Sequence, residues 1–428
     1  MHGRDFIPGA LRQCRFELGL ILAVIGTQIA VITRLLLPIP FDLTKILFLL
    51  SLLLIADYGQ FTFLKTRRIS RYLAAVLGYN LYVLLAALLA EAPLNAPNTG
   101  TVYTLYVAAF LCVLCFRRKR EIHEARFTFL MWGISGLYSL ILFYLITEKF
   151  TRFTGNAFVW LYNGSFSADR LTLSVIAFVH MICFLAWRPK KKGMEIPRIL
   201  LFLVAAYDMA VCSRRGLLLT FFIILAYRWM ILRKSGKVRA ALFRRVVLGA
   251  AVLGGGAVIA YLAVPAVRNQ VQQYADRVIQ GVSTYLGRGQ DAAAANRAGN
   301  LTTVPREFLS SGLGTILFGN GYAHRHLDIP YLQAFTDLGL VGGIWYFIIA
   351  GVAPVWMMRK RTENRAELLI RYIAIMNIVY NVYSGVPYNH YKFIGLILLG
   401  YMEMGKGRKG LEYDQAAATN QRAAGCLI

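Results

Sequence analysis

Apolar stretches of about twenty residues recur along the whole chain, and no other feature restricts its fold so tightly. Coiled into a helix, such a run matches the hydrocarbon thickness of a bilayer. Inside lipid only helices and closed barrels satisfy every backbone polar group. Read with that window, the sequence holds about twelve spans. The first eight are Leu18–Leu37, Leu43–Leu64, Tyr72–Ala90, Thr101–Phe116, Phe127–Ile146, Leu171–Trp187, Ile199–Cys212 and Gly216–Leu232. Val246–Pro265, Leu332–Met357, Leu369–Tyr383 and Phe393–Met404 follow. The fold class is therefore an all-α polytopic membrane protein. A cleavable signal peptide is not expected, because the first run is full length and no small-residue cleavage site follows it.

Charge supports this reading. Only 16% of the 428 residues are charged, against roughly 25% in soluble domains. The net charge of +26 invites a nucleic-acid partner, but its distribution argues against one. Basic residues gather in every second loop: Lys65–Arg71, Arg117–Arg126, Arg188–Arg198, Arg233–Arg245, Arg359–Arg371 and the tail from Lys406. That alternation marks cytoplasmic loops. It predicts cytoplasmic termini, nine spans within 1–265, an external loop over 266–329, three spans within 330–405 and a cytoplasmic tail over 406–428.

The external loop carries its own pattern. Val267, Val271, Tyr274, Val278, Val282 and Tyr285 recur at helical spacing, which predicts an amphipathic helix. An alanine-rich stretch separates it from a second amphipathic helix, expected to start near Pro305 and to end before Gly319-Asn320-Gly321. Such helices lie on the interface or cap a cavity. The loop's basic residues are Arg268, Arg277, Arg288, Arg297, Arg306 and Arg325, with no lysine among them. A guanidinium grips phosphate in two places, which an ammonium does not. Arg214 and Arg215 stand at another external junction, where the charge rule disfavours a basic pair and an anionic ligand would explain it. His324-Arg325-His326-Leu327-Asp328 closes the loop, and a carboxylate or imidazole there suits a general base toward an alcohol. The histidines find no matching acid set for a metal, and no glycine-rich phosphate loop opens a helix, so neither a metal nor a nucleotide cofactor is expected. Cys112 and Cys115 close an apolar span without a partner pair and read as packed helix.

Four segments together resemble the superfamily of O-antigen polymerases (Wzy) and O-antigen ligases (WaaL). They are Ser213-Arg214-Arg215-Gly216 opening a span, Asn296-Arg297 ahead of Gly319-Asn320-Gly321, Asp328 to Gln333 with Asp337 to Gly342, and Asn163 to Asp169. The resemblance runs from about Asn163 to Tyr346. It implies glycan transfer from undecaprenyl diphosphate at the periplasmic face of a bacterial inner membrane, without metal or nucleotide sugar. Its partners would be lipid-linked oligosaccharides and membrane lipid, with room for a chain-length regulator. The resemblance carries the diphosphate-holding role to Arg214, Arg215 and Arg297, with Arg288 beside them, and the proton-accepting role to Asp328 or His326. An aspartate in place of the ligases' His-Asn pair tilts the expectation toward a repeat-unit polymerase. A ligase acting on lipid A-core, a peptidoglycan polymerase of the shape-and-division type and a flippase are the alternatives. Against the flippase, no broken span is evident, and only Asp57 and Asp208 among the acids are placed to lie within spans.

Overall fold

The computed structural model describes residues 9–37, 39–57, 70–89, 99–116, 122–149, 161–163, 166–168, 170–189, 191–212, 215–234 and 292–404, with single helical positions between 268 and 284. In chain order the helices are α1 (Gly9–Leu36), α2 (Leu43–Ile55), α3 (Arg71–Leu89), α4 (Thr99–Phe116), α5 (Glu124–Tyr144), α6 (Arg170–Ala186), α7 (Glu195–Val211) and α8 (Arg215–Lys234). Further along the chain come α9 (Ala292–Leu309), α10 (Leu313–Phe318), α11 (Pro330–Phe347), α12 (Ala353–Met358), α13 (Arg365–Tyr383) and α14 (390–404). One short ribbon departs from the all-helical expectation. Leu161–Asn163 (β1) pairs antiparallel with Phe166–Ala168 (β2), in the segment singled out above as Asn163 to Asp169.

Among the described residues four helical stretches are long and apolar enough to cross a membrane: Cys14–Leu36, Arg71–Leu89, Glu124–Thr147 and Pro330–Met358. Leu43–Ile55, Thr101–Cys115, Thr172–Ala186 and Gly216–Leu232 are apolar but shorter. The remaining expected spans contain charges within their helices, namely Asp208 in α7, Glu367 and Arg371 in α13 and Lys392 in α14, or lie outside the described residues, as Val246–Pro265 does.

The packing is inverted relative to a water-soluble bundle. Leu49, Leu85, Leu200 and Phe222 face outward with more than half their surface exposed. Ser51, Ser135, Ser139, His180, Asp208 and Asn377 are buried inward. Water-soluble proteins do the reverse with contiguous apolar faces; a lipid-facing helix bundle requires this arrangement. These outward apolar faces and the four membrane-length helices among the described residues suggest a helical membrane protein.

α1 forms the middle of the core, with Leu20, Ile21, Ile25, Ala30 and Ile32 essentially inaccessible. It runs against α2 through Gly19, whose missing side chain admits Ile55 and Leu54. Arg15 closes the contact by donating to Leu54 O (3.1 Å) and Ala56 O, the orphan carbonyls at the end of α2.

The two ends of the bundle differ in chemistry. One end carries the basic segment Arg359–Arg371. Arg371 is fully buried there, donating to Glu367 Oε1 (2.6 Å), the Tyr227 hydroxyl (2.9 Å) and Met358 O (3.0 Å). Lys360–Glu403 (2.7 Å) and Arg365–Glu124 (3.8 Å) join helices at the same end. The opposite end carries α9, α10 and the segment up to Pro330.

Two expectations for that segment are corrected. Pro305 lies inside α9 rather than at its start. The alanine run, read as a separator, forms the first turns of the same helix, as alanine's helix propensity favours. The six apolar residues of the first amphipathic pattern lie outside the described residues. Arg268, Gln272, Ala275, Asp276, Ile279 and Gln280, on its other face, are helical and exposed.

Candidate functional site

The loop end is organised by a break in α11. Gly339 adopts φ 68° and ψ −169°, interrupting the helix that begins at Pro330. Helical geometry would have paired Thr336 O and Asp337 O with amides four residues on; the break frees both carbonyls. The turn after α10 takes them up: Asn320 N donates to Thr336 O (2.9 Å) and Gly321 N to Asp337 O (3.0 Å). Only glycines permit this approach. A Cβ on Gly319 would sit 2.3 Å from Asp337 C and O, and one on Gly339 would sit 2.3 Å from Leu317 C and O. The Gly319-Asn320-Gly321 turn is therefore a docking point between α10 and α11, not a free hinge.

Beneath this turn Asp337 is completely buried. Its Oδ2 accepts from the Tyr388 hydroxyl (2.8 Å) and from Gln333 Nε2 (3.1 Å), and the amides of His324 and Arg325 lie near the same carboxylate. Tyr322 packs against Tyr388 with tilted rings, their centroids 4.5 Å apart. Burial, reinforced by the Asp337 charge, pushes the Tyr322 phenol up to about 12. Burial likewise raises Tyr388, which keeps it protonated as the donor to Asp337. Asn300 of α9 reaches Leu327 O at 3.4 Å. The segment 319–329 is thus held from below by α11, from the side by α9 and from behind by the turn between α13 and α14.

On the open face of that segment the structure brings together three of the residues expected from sequence. Arg297 Nη2 lies 3.9 Å from Asp328 Oδ2, and His326 Nε2 lies 3.3 Å from Asp328 Oδ1. Asp328 takes the left-handed backbone conformation (φ 55°), which turns its carboxylate toward α9. Their side chains are 27%, 62% and 44% exposed for Arg297, His326 and Asp328. A pair this long and this solvated contributes at most about 1 kcal/mol to stability, so folding energy does not account for the arrangement. Arg325 turns away to Glu307 at 3.2 Å.

The other expected residues are placed only in part. Arg214 and Arg288 lie outside the described residues, as does the side chain of Arg215. The backbone of Arg215 opens α8, and Gly216 after it packs so closely on Tyr383 that a Cβ would overlap the phenol ring. The start of α8 therefore stands beside the end of α13, next to Ser384.

Sequence reasoning missed Lys392. It is fully buried at the head of α14 and donates to Ser384 O at 2.6 Å; burial pushes it well below the ordinary lysine value, with the Asp328 charge acting in the opposite direction. The signal was present: Lys392 stands at a helix end that the charge alternation reads as external, where the charge rule disfavours a cation. Sequence reasoning also missed Asp337, whose burial depends on contacts from 319–325 and 388. The broken, acid-bearing span that was taken to be absent does exist, in α11. A cavity of about 780 Å³ is lined by Tyr82, Leu85 and Leu89 of α3 together with Phe318, Asn320 and His324. Among the described residues no cluster of His, Cys, Asp or Glu is able to hold a metal. No protein-family model matches the chain, and no curated protein is significantly similar to it.

Proposed function

We propose that this chain is a metal-independent membrane glycosyltransferase of the O-antigen polymerase type, with about twelve spans in the inner membrane, cytoplasmic termini and a periplasmic site. The observation that carries this reading is the meeting of Arg297, His326 and Asp328 on one open face at the end of the bundle opposite the basic segments. A guanidinium there suits the diphosphate of an undecaprenyl-linked glycan, with Arg214, Arg215 and Arg288 as the further cations of that site. Its fixed charge would stabilise the departing diphosphate, an effect worth about 3–4 kcal/mol for a single donor in comparable sites. Asp328, or His326, would take the proton from the acceptor hydroxyl of a lipid-linked repeat unit. A chain-length regulator would act on the same face.

The test is a gel of surface glycan from a deletion strain complemented with Arg297→Ala. A single repeat unit on the lipid A core with the ladder gone supports the polymerase. Loss of all surface glycan while long chains accumulate on the lipid carrier would mean a ligase. A full ladder from well-expressed Arg297→Ala protein would sink the assignment. The second reading is a flippase for the same lipid-linked glycan, and the broken α11 with buried Asp337 favours it. Repeat units trapped on the carrier at the cytoplasmic face would establish that instead.

A further inference from the structure

We infer that the cavity between α3 and the 318–324 segment opens sideways into the bilayer and holds one acyl chain of a phospholipid. The inference needs a bilayer around the bundle and does not rest on the glycosyltransferase reading.

Depth comes from α3. Arg71 opens this helix, Glu91 stands just past it in sequence, and its 19 residues rise about 28 Å. The hydrocarbon core is about 30 Å thick, so α3 has no surplus length and its last two turns lie within the bilayer. Those turns supply Tyr82, Leu85 and Leu89 to the cavity, and Phe318, Asn320 and His324 close it from the other side. Tyr82 also donates to Leu338 O at 3.4 Å, which fixes α3 against the broken turn of α11. The 318–324 segment therefore dips to the depth of α3, although the charge pattern assigns it to an external loop.

Its chemistry suits that depth. Irregular backbone is tolerated among lipids only where protein satisfies its polar groups. The amides of Gly319, Asn320 and Gly321 are all engaged, donating to Thr315 O (2.8 Å), Thr336 O (2.9 Å) and Asp337 O (3.0 Å). Leu313 and Phe318, at the two ends of α10, are more than half exposed, as are Leu85, Leu88 and Leu89 on α3. The apolar wall of the cavity is thus continuous with the outward leucines of a membrane-length helix, and lipid is the neighbour that this face already has. The volume of about 780 Å³ falls in the range of a single small ligand. It takes one acyl chain, whereas a long polyprenyl chain would overfill it. Asn320 and His324 supply the polar part of the lining, for the atoms that join the chain to its head.

The experiment uses the full chain in phospholipid nanodiscs in which a fraction of the lipid carries a photoactivatable diazirine midway along one acyl chain. After irradiation, peptide mapping should find adducts on both walls, in 82–89 and in 313–324. Adducts are also expected around Phe222 on the outward face of α8, which any surrounding lipid reaches. Native mass spectrometry after transfer to detergent should show one phospholipid retained per chain. Ala86→Trp fills the cavity from its α3 wall and should abolish both the 313–324 adducts and the retained lipid, while the α8 adducts persist. If that variant fails to fold, Leu85→Gln decides: its exposed side chain leaves the core intact but puts a polar group on the chain's path, and the same loss is expected. Adducts on α8 with none in 313–324, or a retained phospholipid indifferent to the variants, overturns the inference. So does a polyprenyl lipid retained in place of the phospholipid. A glycan ladder lost in Arg297→Ala with no adducts in 313–324 leaves the polymerase standing and removes this site; adducts there with a full ladder do the reverse.

Discussion

Replacing Gly339 by alanine perturbs the contact on which the whole loop end depends, and its cost has two separable parts. The first is conformational. At φ 68° and ψ −169° the backbone lies in a region nearly closed to other residues, and a side chain there costs about 1–3 kcal/mol. The second is steric. The new Cβ would lie 2.3 Å from Leu317 C and O, where carbon contacts normally stand at about 3.5–4 Å. Leu317 is reached through its backbone, so no rotamer change relieves the overlap and α10 must move as a unit. Forcing an extra methyl into such packing costs about 1–3 kcal/mol, which brings the expected destabilisation to about 2–6 kcal/mol. Two neighbouring glycines serve as controls. Gly321 has φ 101° but nothing within 4 Å of its Cβ position, so alanine there meets only the conformational part. Gly314 lies in α10 with open space around it, where alanine should be neutral or stabilising by about 0.5–1 kcal/mol. Unfolding is followed by circular dichroism as SDS is titrated into bicelle-embedded protein, alongside the glycan ladder for each variant. Gly339→Ala should be least stable and lose the ladder, with Gly321→Ala between it and Gly314→Ala. Equal stabilities for Gly339→Ala and Gly321→Ala would refute the close approach of α10 to α11.

At the opposite end, Arg371→Met should cost about 3–5 kcal/mol by stranding buried Glu367. The double variant with Glu367→Gln should recover part of that in the same SDS titration; no recovery would remove the pair from the account. Tyr388→Phe deletes the 2.8 Å donor to Asp337 and should cost about 1–3 kcal/mol. Faster hydrogen exchange confined to 319–329 should accompany it, and exchange unchanged there would count against Asp337 as the anchor of that segment. Arg215→Lys should reduce polymer while leaving expression normal, because the forked grip on phosphate is lost; a wild-type ladder would take Arg215 out of the site.

Much of this protein is local information. An apolar run of twenty residues makes a helix wherever it falls, because lipid offers the backbone no other partner. The basic loops separate from the rest by simple alternation, and the contacts of Arg371, Lys360 and Arg365 gather at one end accordingly. Arg297 and Asp328 were also legible, since an external arginine and a loop-end carboxylate need no neighbours to be noticed. What sequence could not specify was proximity. Asp337 looks like any polar residue in a helix until Tyr388, Gln333 and the 319–325 turn close over it. Lys392 looks like a flanking lysine able to snorkel to the interface, and only the packing of Ser384 and Gly385 against it makes it a buried side chain. Gly319 and Gly339 lie twenty residues apart in sequence, yet each is required by the other's neighbours. Helix formation is set by each segment's own side chains and its solvent; the site depends on backbone approaches and charge burial that exist only once distant segments have packed.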